Sequence, residues 1–94
     1  MEVEPTCKIF KNGDKEWYLN GKLYRKDGPA IELPDGTTAW LINGRYHRED
    51  GPAIERSNGS KFWYLNHVEY TLEDWLETRS WSDIEKMEFY LKWK

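Results

Sequence analysis

The sequence predicts a mainly β protein of the α+β class: a meander of antiparallel β-hairpins built from a short repeat and capped by one or two C-terminal helices. Three observations carry this. Each of the seven glycines follows an Asn or an Asp, and such pairs tolerate the positive φ that tight turns between antiparallel strands require. The glycines stand at 13, 21, 28, 36, 44, 51 and 59, so their spacing of 8, 7, 8, 8, 7 and 8 closes on itself every 23 residues. From residue 71 onward the turn pairs cease and helix-start signals replace them.

Aligned at that period, the chain reads GDKEWYLNGKLYRKDGPAIELPD over 13–35, GTTAWLINGRYHREDGPAIERSN over 36–58 and GSKFWYLNHVEYTLEDWLETRSW over 59–81. The third copy keeps Gly59, Trp63, Leu65, Asn66 and Tyr70 but loses the Asp-Gly-Pro-Ala-Ile segment, which makes 59–70 a half-unit. Residues 7–13 fall where 30–36 and 53–59 fall, so the N-terminus supplies the strand that begins the array. Strands are then expected at Lys15–Leu19, Thr38–Ile42 and Lys61–Leu65, and a second type at Ala30–Leu33 and Ala53–Arg56, with a hairpin joining each unit to the next. Period-two alternation sets Trp17 with Leu19, Trp40 with Ile42 and Trp63 with Leu65 on one face, the three indoles buried at equivalent positions. Tyr18, Leu41, Phe62 and Tyr64 lie on the other face.

A single layer of short strands needs a cover. Thr71-Leu72-Glu73-Asp74 and Ser82-Asp83-Ile84-Glu85 both read as helix starts, the second as a capping box between Ser82 and Glu85. Residues 83–93 are expected to be helical, with Ile84, Met87 and Leu91 recurring at i, i+3 and i+7 and Phe89, Tyr90 and Trp93 widening the apolar surface. Such a helix either caps the last half-unit or folds back over the sheet. Residues 1–70 form the array and 71–94 its helical cap, within one domain.

Composition narrows the function classes. Ninety-four residues make one domain. A net charge of −3 lacks the basic footprint of a protein that grips phosphates or an anionic bilayer, so neither direct nucleic-acid binding nor a membrane is expected. Mean hydropathy of −0.94 would suit a disordered chain, but six tryptophans, six tyrosines and three phenylalanines supply the apolar area of a folded one. The one cysteine, Cys7, cannot form an internal disulfide, and MEVEPTCKIF has neither a basic start nor an apolar run, so the expected location is cytoplasmic. No apolar run approaches the roughly 18 residues of a membrane span.

Glu16-Trp17, Asn20-Gly21-Lys22, Asp27-Gly28 and Pro34-Asp35-Gly36, at a period of 23, resemble MORN repeats over roughly residues 7–70. The resemblance implies a chain of β-hairpins and, as one alternative, a MORN-type scaffold or membrane-associated module. Here Lys15 and Thr38 precede the tryptophans where standard units place Tyr-x-Gly, and Arg-x-Asp-Gly follows instead of Gly-x-Gly. A closer likeness is to the variant W-Y-L-N-G-x-x-H-R-x-D-G-P-A-I-E, which is similar to repeats of bacteriophage and large-DNA-virus proteins. Trp40 to Glu55 fits it nearly throughout, and Trp17 to Glu32 fits with Tyr24 in place of His47. The likeness implies a phage accessory protein, in the host cytoplasm, that occludes a host defence or regulatory protein as an anti-CRISPR or similar inhibitor does.

Candidate chemistry is sparse. His47-Arg48-Glu49-Asp50 holds an imidazole, a guanidinium and two carboxylates, but the preceding copy reads Tyr24-Arg25-Lys26-Asp27, so only the Arg and Asp recur, as scaffold residues would. No catalytic residue, cofactor or metal is expected, since Cys7, His47 and His67 lack ligand spacing. Arg25 and Arg48 could contact an anion, which gives a nucleotide or small-anion binder as an alternative function. Their competing role is an internal ion pair to Asp27, Glu32, Asp50 or Glu55.

The expected function is therefore a non-catalytic protein-binding module. Repeat scaffolds bind through positions that vary between units, here Tyr18/Leu41/Tyr64, Glu16/Ala39/Phe62 and Leu23/Tyr46/Glu69. Residues 69–88 hold seven acids against two bases, suiting a basic partner such as a nucleic-acid-binding host protein. The expected partner-binding residues are Tyr18, Leu41, Tyr46, Phe62, Tyr64, Asp74, Trp75 and Glu77.

Overall fold

A computed structural model describes residues 4–94. Strands β1 (Thr6–Ile9), β2 (Lys15–Leu19), β3 (Lys22–Leu23), β4 (Ile31–Glu32), β5 (Thr38–Ala39), β6 (Leu41–Ile42), β7 (Arg45–Tyr46), β8 (Ile54–Glu55), β9 (Lys61–Leu65) and β10 (Val68–Tyr70) precede helices α1 (Leu72–Glu77) and α2 (Asp83–Trp93). The main sheet runs β1-β2-β4-β5-β8-β9-β10 with β3 paired to β2, and β6-β7 form a separate hairpin. Every pairing is antiparallel. The protein is mainly β with a helical C-terminus, as the turn pattern predicts.

The Asn/Asp-Gly pairs do three different jobs. At Asn12-Gly13, Asp35-Gly36 and Asn58-Gly59 only the glycine has positive φ, and the preceding Asn or Asp carboxamide or carboxylate accepts the N–H two residues on, at 2.9–3.0 Å. These are the wide turns that join one unit to the next. At Asn20-Gly21 and Asn43-Gly44 both residues have positive φ, which is the two-residue hairpin that matches strand twist. These hairpins create β3 and β7, strands that the sequence reading treats as loop. Gly28 and Gly51 are not among the positive-φ glycines, so the expectation of seven left-handed turns holds at five positions only.

Neighbouring units are bonded along two rows. In the main sheet Trp17 N donates to Ala30 O at 2.8 Å and Trp40 N to Ala53 O at 2.6 Å. In the hairpin row Arg25 N donates to Leu41 O at 3.2 Å and Gly44 N to Leu23 O at 2.8 Å; the same bonds recur 23 residues on, from Arg48 N to Tyr64 O and from His67 N to Tyr46 O. The expected strand Thr38–Ile42 is split at Trp40 because that residue bonds sideways to two different neighbours, its N–H to Ala53 and its carbonyl to His47 N. Trp17 stays within β2 because β1 lies along it, Cys7 opposite Trp17. Between the rows sits a small core of Ala30, Ala39 and Leu41, with Leu23, Ile31, Tyr46 and Ile54 packed against it.

The second core is the cap. Thr71 Oγ1 accepts Asp74 N at 3.1 Å to start α1, and Ser82 and Glu85 form the reciprocal box that starts α2. Both starts are where the sequence places them. Trp63 meets Trp75 at 4.9 Å, Phe89 at 5.8 Å and Trp93 at 5.9 Å between ring centroids. The helices therefore cap the last half-unit rather than fold back over the sheet.

Two expectations about burial are corrected. Trp63 is 5% exposed, but Trp17 and Trp40 are only half-buried, because the aromatic rings of the helices pack on Trp63. On α2 the packed side chains are Phe89, Tyr90 and Trp93, while Ile84, Met87 and Leu91 face solvent. Aromatic rings cover more of Trp63 than an aliphatic stripe would, so they take the inner face.

Candidate functional site

What covers Trp17 and Trp40 is the arginine of their own unit. The Arg25 guanidinium lies 3.9 Å from the Trp17 ring centroid and that of Arg48 4.0 Å from Trp40. Arg25 donates through Nη1 to Pro29 O and to Glu32 Oε2, both at 3.2 Å. Arg48 donates to Asp50 Oδ1 at 2.8 Å and to Pro52 O at 3.1 Å. A Cβ on Gly28 or Gly51 would lie 2.9 or 2.7 Å from the arginine Cζ, so the glycine of Arg-x-Asp-Gly-Pro is the floor on which the guanidinium rests. Each fork is thus held by an indole, a proline carbonyl and a carboxylate of this chain. The internal pairing to Glu32 and Asp50 forms.

Open depressions repeat beside the stacks, one of about 490 Å³ including Trp17, Tyr24, Arg25 and Asp27, the other of about 470 Å³ including Trp40, His47, Arg48 and Asp50. Carboxylates line both. His47 Nε2 lies 3.4 Å from Glu49, an ion pair when the imidazole is protonated, and Arg79 reaches the same carboxylate at 3.5 Å. Glu49 thereby ties the second unit to the cap. Among the described residues no three of His, Cys, Asp and Glu gather closely enough to ligate a metal ion.

The expected partner-binding residues divide. Tyr46 and Tyr64 come together, ring centroids 5.1 Å apart. Tyr18 stands apart in the first unit, its hydroxyl donating to Glu16 Oε1; this bond, then burial and the carboxylate charge, raises the phenol pKa above its ordinary value. Phe62 is half-buried beside the Arg56 guanidinium at 5.5 Å. Asp74 and Glu77 are exposed on α1. Leu41 is 4% exposed and Trp75 fully buried, so both are corrected from partner contacts to core. Leu41 packs with Ala30 and Ala39 in the core between the rows, and Trp75 packs on Trp63 in the cap core.

His67, weighed from the sequence only as a metal ligand, completes the aromatic patch. His67 occupies the second position of the third tight hairpin, where the other two have Gly21 and Gly44, and it keeps their left-handed backbone at φ 70°. Its imidazole stacks on Tyr46 at 5.3 Å with 3° between planes, and its Nδ1 accepts Tyr46 N at 3.3 Å. Tyr64 adjoins both rings; burial first, then Glu69 and Tyr46, raises its phenol pKa. The departure from Asn-Gly to Asn66-His67 was the available signal. The chain has no matching family model, and no curated protein or solved structure matches it.

Proposed function

We propose that this chain is a non-catalytic protein-binding module that engages a basic partner through the Tyr46, Tyr64 and His67 patch, with Asp74 and Glu77 steering the approach. One observation carries the reading: a half-exposed aromatic cluster, at positions where the units differ, holds a histidine in a backbone conformation that glycine adopts at lower cost. Strain of this kind at a surface patch suits a residue kept for what it contacts rather than for the fold. Tyrosines concentrate binding energy in such patches, and Glu69, registered opposite Tyr64 on β10, adds an acid beside them. The likeness of the repeat to those of phage and large-DNA-virus proteins supports an accessory role in the host cytoplasm, occluding a host defence or regulatory protein.

The test is capture from host lysate on the immobilised full chain, run beside Tyr46→Ala and Tyr64→Ala variants whose melting shows them folded. A stoichiometric basic protein retained by the parent and lost by both variants supports the reading. Equal retention by all three overturns it, as does stabilisation by nucleotides alone.

A further inference from the structure

Helix α2 carries an apolar stripe that none of the other described residues covers. Ile84, Met87 and Leu91 are 66%, 58% and 57% exposed, and at i, i+3 and i+7 they lie along one line of the helix. The helix cannot turn them inward, because Phe89, Tyr90 and Trp93 on its other side are packed into the cap core. Its first turn is fixed by the Ser82 box. A contiguous apolar stripe on the solvent side of a packed helix marks an association surface.

The charges beside the stripe say what fits it. At about 100° per residue, Asp83 at its N-terminal end and Lys94 at its C-terminal end flank the stripe on one side, and Glu88 flanks it on the other. Glu85 and Lys92 lie farther round, the Glu85 carboxylate accepting Ser82 N and the Lys92 ammonium 5.6 Å from the Trp93 ring centroid. A uniformly basic partner would meet Lys94, and a uniformly acidic one Asp83 and Glu88. A copy of the same helix laid antiparallel avoids both conflicts. Ile84 then faces Leu91 of the second copy, Met87 meets its counterpart near the middle, and Asp83 approaches the second copy's Lys94. Two-fold symmetry repeats the ion pair, and the opposed helix dipoles add to the fit. Glu88 against Glu88 is the one like-charge contact, whereas a parallel pair, which sets one flank against the other, would offer no acid–lysine pair at either end.

We propose that a second copy of this chain covers the α2 stripe as a two-fold antiparallel helix pair. Three apolar side chains per copy place it among small, weak and reversible interfaces. The pairing uses none of the Tyr46, Tyr64 and His67 patch, so it stands or falls separately from partner capture.

Sedimentation equilibrium of the full chain over about 10 µM to 1 mM should show the mean mass rising from one chain toward two, as a weak dimer does. Met87→Glu and, separately, Lys94→Glu should each weaken association at least about tenfold, the loss of a central contact or of two symmetric ion pairs. In a Cys7→Ser background, mixing Ile84→Cys with Leu91→Cys should give a disulfide-linked hetero-pair faster than either variant links to itself. A monomer throughout the range, association untouched by both substitutions, or self-linking as fast as the mixed pair would each overturn the proposal.

Discussion

The Arg48 guanidinium lies 4.0 Å from the Trp40 ring centroid and 6.0 Å from that of Trp93 in the cap, and a Cβ on Gly51 would come within 2.7 Å of its Cζ. The second unit thus uses a cation where the third uses Trp75 and Phe89. Position 71, which aligns with Arg25 and Arg48, is Thr71, and it starts α1 instead. An open repeat and a capped one differ by that replacement.

A side chain at Gly51 would have to displace the Arg48 guanidinium from its stack. Gly51→Ala should destabilise the chain by about 1 kcal/mol, the low end of the cost of overpacking, since the end of a flexible side chain can give way. In the double variant Gly51→Ala, Arg48→Ala the two losses should fall well short of their sum, because the clash vanishes with the guanidinium. Urea midpoints of the four chains measure the coupling; simple additivity would mean that the arginine does not rest there.

Unequal covering ranks the tryptophans. Trp63→Ala empties the centre of the cap core and should cost about 3–5 kcal/mol, the range for a buried Trp. Trp40→Ala removes a half-buried ring and should cost less, although its unit has neighbours on both sides. Thermal melting of the two variants checks the order, and a larger loss at Trp40 would place the dominant core in the array.

The turn pairs and the period made the hairpin meander legible, and Lys15–Leu19 and Lys61–Leu65 match their expected bounds. Periodicity could not show that Trp17, Trp40 and Trp63 receive different covers, because covering is decided by contacts far apart in the chain. The same limit reversed α2. Ile84, Met87 and Leu91 form the clean helical stripe that pattern reading favours, yet the larger aromatic faces won the contact with Trp63. For the candidate site, Tyr46 and Tyr64 were legible from their variation between units, whereas Trp75 was taken for a surface anchor because its acidic neighbours hide a buried position.

Acid should loosen the start of α2 before the rest of the chain. The Ser82 N–H and hydroxyl, bonded to the Glu85 carboxylate, hold its pKa below the ordinary value. A carboxyl with a lowered folded pKa contributes stability that is present above its unfolded value, near 4.3–4.5, and lost as pH falls through the folded one. The protection of the Glu85 and Lys86 amides, corrected for the pH dependence of intrinsic exchange, should therefore fall below about pH 4. In Glu85→Gln, which keeps an acceptor without the charge, that pH dependence should disappear; its persistence would assign the effect to another acid.

His67 sets stability against binding. Releasing a non-glycine residue from the left-handed region recovers about 1 kcal/mol, and losing both the ring stack on Tyr46 and the exposed bond from Tyr46 N to Nδ1 forfeits about 1 kcal/mol. His67→Gly should consequently melt close to the parent temperature, since Gly21 and Gly44 hold the same turn in the other units. If the imidazole is kept for contact with a partner, the same variant should capture that partner less well and release it sooner. A clear fall in melting temperature would show instead that the Tyr46 stack supports the third hairpin, and unchanged capture would remove His67 from the interface.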